Sequence, residues 1–272
     1  MDWVTIATSA STALATTFIS KNDEGPIKTL NDTWDLAFGN FHHFVDKKRA
    51  ERAYNLEQYK IKIAENVNNI PEENRIEPTL SIIGPALDAS KYYIEEEELR
   101  NMFAALISSS MDKTLSTFSH PSFVEIIKQL SPLDAQNIKL FMGQNKFPIA
   151  TYDLKFSITG KSTYLHHIFL ENSQCDDITQ VSSSIANLVR LGLLTVDYNR
   201  HIVDLSSYQK FEEHPIYQKM KKDFSSEAFQ SQATFLSGSL NSDYIKSIEP
   251  GITKGILEIT PLGKDFIKTC IC

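Results

Sequence analysis

Hydrophobic residues recur at helical spacing through the first half of the chain. Between residues 75 and 135, three apolar stripes with steps of three and four residues predict successive helices. The stripes are Ala86, Leu87, Ala89, Tyr92 and Tyr93, then Leu99, Met102, Phe103, Leu106 and Ile107, then Phe123, Ile126, Ile127 and Leu130. Upstream, an apolar face from Leu30 to Phe41 and a charged stretch from Asp46 to about Asn66 predict two more helices. This pattern predicts a helical domain over residues 21–150.

Prolines and acidic residues mark where these helices begin. Glu77-Pro78 and Gly84-Pro85 predict two breaks, each before a helix, because proline is tolerated in a first helical turn. Glu95–Glu98 is placed at a helix start, where the helix dipole favours carboxylates. The run from Ser131 to Asp134 combines an N-cap serine, a proline and an acid at the third position. His120-Pro121 opens the helix before it, and we expect His120 to organise that turn through hydrogen bonds.

The last hundred residues mix helical and strand patterns. Residues 178–191 predict a capped helix that ends at Gly192 and is followed by a strand, Thr195–Tyr198. Asn199-Arg200 predicts a turn into a second strand, His201–Leu205, so that the two strands form a β-hairpin wing.

The pattern after this hairpin closes a second module. A polar insertion at about 206–255 is expected to be helical in part. A strand from Ile256 then leads through Pro261 and Gly263 into a final helix. We therefore predict a mainly α protein whose residues 151–272 form an α+β winged-helix-like module.

The N-terminal segment, residues 1–20, differs from the rest, since residues 3–20 contain no charge. On a helical wheel one face is apolar and the opposite face carries hydroxyl groups. The apolar face consists of Trp3, Ala7, Ala10, Leu14 and Phe18. Eighteen helical residues span roughly 27 Å, close to the hydrocarbon thickness of a bilayer. Two interpretations stay open: a helix that inserts and lines an assembled pore, or a helix packed against the body of the protein.

Overall composition narrows the class of protein. A net charge of −7 argues against broad, sequence-blind nucleic-acid binding. Three cysteines, two of them in the last three positions, do not make a disulfide framework and fit a reducing cytosol. No uncharged run of 18 apolar residues predicts an obligate transmembrane helix, and the start lacks the parts of a signal peptide. A cytoplasmic resting state is expected.

The sequence offers no pattern typical of enzymatic chemistry. Neither glycine-rich nucleotide-binding motif is present, and no His or Cys spacing indicates a metal site. We therefore predict no catalytic residue, no cofactor, no metal and no enzyme activity. The helix at 179–191 carries a single cation, Arg190, after Asp176 and Asp177. Since DNA readers hold phosphates with several cations, nucleic acid is an unlikely partner.

The ordered motifs between residues 76 and 135 resemble those of the Abi-alpha (abortive infection alpha) family of bacterial phage-defence proteins. The matching segments are Ile76–Ile94, Glu96–Met111, Asp112–Lys113 and His120–Ala135, and the later NLVRLGLL and ITPLGKDFI stretches agree as well. The motif positions expected to be structural are Gly84, Pro85, Glu98, His120, Pro121, Gly192, Pro261 and Gly263. The resemblance covers most of residues 27–270 but neither residues 1–20 nor the insertion at 206–250.

The resemblance implies phage defence, and the charge-free N-terminal segment suggests how. We predict an effector that is cytoplasmic at rest and is triggered by a phage protein. On activation it forms a homo-oligomer and permeabilises the inner membrane through residues 3–20. The alternative is a non-enzymatic module that binds protein or nucleic acid and blocks a phage process through the winged-helix-like half.

Overall fold

A computed structural model describes residues 25–38, 46–156, 160–226, 229–231 and 248–271 of the chain. These residues fall into two compact units. One contains the described residues up to Lys139 together with the C-terminal stretch from Pro261, and the other runs from Leu140 to Thr260. The protein is mainly helical and its second unit carries an antiparallel sheet, as predicted for the broad fold class. The winged-helix assignment is not confirmed.

The main elements in the described part of the first unit are helices. Its helices are α1 Pro26–Phe38, α2 Asp46–Asn68, α3 Leu80–Ser90, α4 Glu97–Ser110, α5 Ser122–Ile127, α6 Pro132–Lys139 and α10 Pro261–Cys270. Helix α4 lies at the centre, with every residue from Leu99 to Ser110 buried except Asn101. On α5 and α10, the rings of Phe123 and Phe266 meet edge to face at 5.3 Å.

One predicted break is wrong. Gly84-Pro85 lies inside α3, which runs without interruption from Leu80 to Ser90. Proline cannot donate the helical hydrogen bond at its position, which ordinarily disfavours an interior site. The apolar residues on both sides of it are buried: Ile82, Ile83, Ala86 and Leu87. Their burial outweighs the lost hydrogen bond, so packing sets the helix boundary here. Pro78, by contrast, precedes the helix as predicted.

The second unit contains a sheet with short helices. Its elements are β1 Lys146–Phe156, β2 Gly160–Ile168, α7 Ile178–Arg190, β3 Leu194–Asp197, α8 Gln209–Glu213, α9 Pro215–Phe224 and β4 Ile248–Ile259. The described strands lie in the order β2-β1-β4-β3, all antiparallel. β1 and β4 pair along their whole length, from Lys146 opposite Glu258 to Phe156 opposite Ile248.

The predicted β-hairpin wing is wrong. β3 pairs with β4 rather than with the residues that follow it, and Leu194 lies opposite Ile259. Residues 198–204 form no strand, and Val203 among them is 96% exposed. The apolar residues of this stretch therefore do not share a buried face, which a strand of a packed hairpin requires. The polar insertion is helical in part, as predicted, since it includes α8 and α9.

The two faces of β1 have different chemistry. Ala150 and Tyr152 belong to an apolar core that also includes Tyr208, Phe211 and Met220. The Tyr152 hydroxyl donates to the Phe211 carbonyl oxygen at 2.9 Å. The alternate residues of β1 point to the opposite face and include two buried polar side chains. That face is described with the candidate sites below.

Candidate functional site

The predicted membrane-insertion residues lie outside the described residues. They are Trp3, Ala7, Ala10, Leu14 and Phe18, and their role stays a prediction. Among the residues that the structure describes, no helix is both long enough and apolar enough to cross a bilayer.

The motif residues around α4 and α5 lie at the N-terminal ends of these helices. Glu98 lies in the first turn of α4 and accepts a hydrogen bond from Gln136 Nε2 at 3.3 Å. His120 Nδ1 accepts the backbone N–H of Ser122 at 3.1 Å and lies 2.7 Å from its hydroxyl. Pro121 stands directly before α5. The contacts of His120 match the turn-organising role expected from the sequence.

The motif residues of the C-terminal half mark helix ends in the same way. Gly192 follows α7 with a positive φ of 75°, and its N–H donates to the Val189 carbonyl. Pro261 is the first residue of α10, and Gly263 is buried in its first turn. The Gly192 carbonyl oxygen also accepts a hydrogen bond from the Thr260 hydroxyl at 2.6 Å.

A small apolar notch lies between α1 and α2 in the helical unit. Its volume is about 20 Å³. It is lined by Ile27, Leu30, Asn31, Trp34, Lys60, Ile63 and Ala64. The Trp34 ring packs on Phe38 and Tyr59, and Lys60 Nζ lies 5.8 Å from the centre of the Trp34 ring. The notch accepts the tip of one apolar side chain and offers no group for chemistry.

A buried carboxylate occupies the polar face of the sheet. Asp153 is fully buried and accepts hydrogen bonds from the hydroxyls of Thr151, at 2.9 and 3.0 Å, and of Thr253. Lys161 Nζ lies 3.5 Å from the same carboxylate and 2.6 Å from the Thr253 hydroxyl. Burial alone would raise the pKa of Asp153, but the hydroxyls of Thr253, Thr151 and Thr163, with Lys161, lower it below its ordinary value.

A histidine and a tyrosine extend this polar face. β2 bulges at His166-His167, and His167 adopts a left-handed φ of 48°. The backbone N–H of His167 donates to the Tyr198 hydroxyl oxygen at 3.3 Å, and the ring Nδ1 of His167 lies 2.9 Å from the same oxygen. Burial lowers the pKa of His167 and raises that of Tyr198 to about 12. At neutral pH both side chains are therefore uncharged and stabilise the bulge rather than exchange protons.

A much larger groove opens in the sheet unit, between the segment after β2 and the junction of α8 and α9. Its volume is about 430 Å³, within the range of ligand-binding clefts. Residues from two separate stretches line it: Phe169, Leu170, Asn172, Ser173, Cys175, Asp176 and Ile178, then Lys210, Glu213, His214 and Pro215. It combines apolar, charged and hydrogen-bonding groups, so it is the better candidate for selective binding.

Sequence reasoning missed both polar features of the sheet unit. The buried carboxylate had a signal, since Ala150, Tyr152 and Leu154 alternate with Thr151 and Asp153 as in a half-buried strand. The groove had none, because its two stretches lie about forty residues apart and meet only through the sheet. Within the described residues, no three potential metal ligands come together.

The model of the abortive infection alpha family matches residues 51–270. This match covers most of the chain, which therefore belongs to the abortive infection alpha family, as the sequence motifs predicted. The family's description indicates a phage-defence role through abortive infection. Searches of curated proteins and of solved structures found no match. The matched range begins within α2 and does not include the N-terminal segment.

Proposed function

We propose that this protein is an abortive-infection effector that acts on the inner membrane. At rest it is cytoplasmic; a phage protein triggers it, and residues 3–20 then insert into the membrane as part of a homo-oligomer. The observation that carries the proposal is the charge-free apolar stripe directly before α1, in a chain of a phage-defence family. Small residues in that stripe, Ala7 and Ala10, favour close helix–helix contact in lipid.

The apolar notch gives the stripe a resting place in this proposal. Five residues, Lys21 to Gly25, separate the charge-free stretch 3–20 from α1, and antiparallel helix pairs are commonly joined by loops of about two to five residues. Gly25 has a positive φ of 71°, which suits a reversal of the chain. In the proposal, the stripe rests against the notch, which begins at Ile27.

A charge on the stripe tests this function. Leu14→Asp places a carboxylate on the apolar face, and inserting it into a bilayer centre costs about 3 kcal/mol. Thr12→Asp is the matched control, since it adds the same charge on the hydroxyl face. The proposal expects cells with Leu14→Asp to lose protection from phage and cells with Thr12→Asp to keep more of it, at equal protein levels on immunoblots. Full protection by Leu14→Asp would remove the membrane mechanism.

The proposal includes no enzymatic step. Several described polar groups of the sheet unit are paired with one another, as Asp153 is with Thr151 and Lys161. Arg190, the cation of α7, donates to Asn187 Oδ1 at 2.7 Å. These contacts favour a role in protein binding over DNA binding for the C-terminal half, and the groove supplies a surface for it.

A further inference from the structure

The groove of the sheet unit has an apolar floor. Phe169 and Ile178 are almost fully buried beneath it, and Leu170 is partly buried. The rim is open to solvent: the polar residues Ser173, Asp176 and Glu213 are exposed there, and so is Pro215. An apolar floor below a polar, exposed rim is the arrangement of a site that takes up a ligand with both characters. A polypeptide segment has both, since its side chains vary while its backbone needs polar partners.

Negative charge on the lining of the groove exceeds positive charge. Lys210, the cation on its wall, forms an ion pair with Glu171, which offsets its charge. Glu213 accepts a hydrogen bond from Gln209 Nε2 at 2.6 Å, but neither Glu213 nor Asp176 has an ion-pair partner among the described residues. The rim therefore presents two carboxylates whose charge no neighbouring cation offsets, and it attracts a positively charged group.

The remaining polar groups add no competing positive charge. His214 Nδ1 accepts the backbone N–H of Ile216 at 3.3 Å and caps α9. Burial lowers the pKa of His214, so its ring is neutral at pH 7. With Nδ1 as acceptor, Nε2 carries the proton and can donate a hydrogen bond to a ligand carbonyl. Ser173 adds an exposed hydroxyl to the lining of the groove.

We infer that this groove binds a polypeptide segment in which an apolar side chain stands next to Lys or Arg. The apolar side chain rests on Leu170, the partly exposed residue of the floor. The cation lies between the carboxylates of Asp176 and Glu213. The inference deepens the proposed function and rests on it, because such a segment on a phage protein is the trigger that the effector requires.

A native cysteine in the groove can report whether a ligand occupies it. Cys175 lines the groove and is partly buried, and its thiol faces the Asp177 carbonyl oxygen at 3.9 Å. The tryptic peptide of residues 162–190 contains Cys175 and no other cysteine. The rate of its alkylation by N-ethylmaleimide, followed by mass spectrometry of that peptide, therefore reports on the thiol in the groove and on no other cysteine.

The experiment uses the full chain and three probes of equal size. They are acetyl-Leu-Arg-amide, acetyl-Leu-citrulline-amide, which replaces the cation by a neutral isostere, and acetyl-Leu-Glu-amide. At a probe concentration near its Kd, about 1 mM for a weak ligand, the arginine peptide is expected to slow Cys175 alkylation about twofold. The citrulline and glutamate peptides are expected to leave the rate nearly unchanged.

A double variant and a matched control locate the effect. Asp176→Asn with Glu213→Gln removes both rim charges and is expected to weaken the arginine peptide about tenfold, the value of a hydrogen bond to a charged partner. Glu249→Gln removes an exposed carboxylate of β4 outside the groove and is expected to leave binding unchanged. The rate with peptide is divided by the rate without it for each variant, since Asp176 adjoins the reporter thiol.

Two results would overturn the inference: equal protection by all three peptides, or no protection by the arginine peptide up to about 10 mM, a very weak affinity. Neither result bears on the membrane mechanism, which is tested separately by measuring dye uptake in infected cells. If the arginine peptide protects Cys175 but infected cells take up no dye, peptide binding by the groove is supported and the membrane mechanism is contradicted.

Discussion

Among the described residues, each of the two units carries a concave site, and the two sites differ in chemistry. The notch of the helical unit is about 20 Å³, and Ile27, Leu30 and Ile63 give it an apolar lining. The groove of the sheet unit is about 430 Å³ and mixes an apolar floor with carboxylates, an ion pair and a thiol. A site that accepts only hydrocarbon suits storage of an apolar helix, whereas a site with fixed charges suits selection of a partner.

The interiors of the two units also differ in how their buried charged side chains are bonded. In the helical unit, the buried charged side chains bond to nearby backbone: Arg100 donates to the Ile94 carbonyl oxygen at 2.7 Å, and Asp134 accepts the backbone N–H of Ser131 at 2.7 Å. In the sheet unit, the fully buried carboxylate of Asp153 depends on hydroxyls from β1 and β4 and on Lys161 from β2. The helical unit is therefore held mainly by apolar packing, while the sheet unit also depends on a charge network that responds to pH.

Filling the notch is the variant with the largest expected effect. Ala64→Met extends a side chain into a space with room for only one side-chain tip, so the N-terminal segment has no resting place. In the proposed mechanism, uninfected cells that express Ala64→Met then take up propidium iodide and stop growing. Ala37→Met lies on α1 outside the notch and is the matched control. Normal growth of the Ala64→Met strain at equal protein level would show that the notch does not restrain the segment.

Removing the aromatic contact between α5 and α10 is expected to have the second-largest effect. Phe123 is fully buried against Phe266, so Phe123→Ala is expected to lower the free energy of unfolding of the helical unit by about 3–5 kcal/mol. Denaturant titration measures this loss. Leu36→Ala, at a side chain that is 85% exposed, is expected to stay within about 0.5 kcal/mol of the parent. Equal losses for both variants would contradict the packing described here.

Asp153→Asn tests the charge network of the sheet unit. Because the pKa of Asp153 is lowered in the folded state, its carboxylate stabilises the fold above the ordinary pKa of about 4 and loses this effect as the pH falls through the lowered value. We expect Asp153→Asn to cost about 1–3 kcal/mol at pH 7 and less below pH 4. Urea titrations at both pH values check this, with the exposed Asp223→Asn as control. A cost that does not change with pH would argue against the network.

The smallest predicted effect concerns the end of α7. Gly192 has a φ of 75°, which a side chain disfavours, so Gly192→Ala is expected to cost about 1 kcal/mol. Gly143 has no positive φ, and nothing lies within 4 Å of an added Cβ there, so Gly143→Ala is expected to be nearly neutral. Thermal unfolding of the two variants distinguishes them. Equal melting temperatures would contradict the left-handed cap.

The sequence predicted the helices well wherever local signals agree. Ser131 and Asp134 exchange the expected capping hydrogen bonds, at 2.7 and 3.1 Å, and the acidic run begins α4 as its dipole favours. Prediction failed where distant contacts decide. Pro85 sits within α3 because buried neighbours hold it there, and β3 pairs with β4 across about sixty residues.

The candidate groove shows the same limit. Its floor comes from the stretch around Phe169 and its far wall from Lys210 to Pro215, and neither stretch carries a recognisable motif. Only the packing of α8 and α9 on the sheet brings the two together. The notch was closer to prediction, since Leu30 and Trp34 already fall on one face of the predicted helix.

Propidium iodide uptake during infection tests the central claim most directly. Cells carry either the full chain or a variant that lacks residues 1–20, at matched protein levels. We predict that phage infection produces early dye uptake only with the full chain and that only these cells protect the culture. Protection without dye uptake, or the same uptake without residues 1–20, would contradict the account.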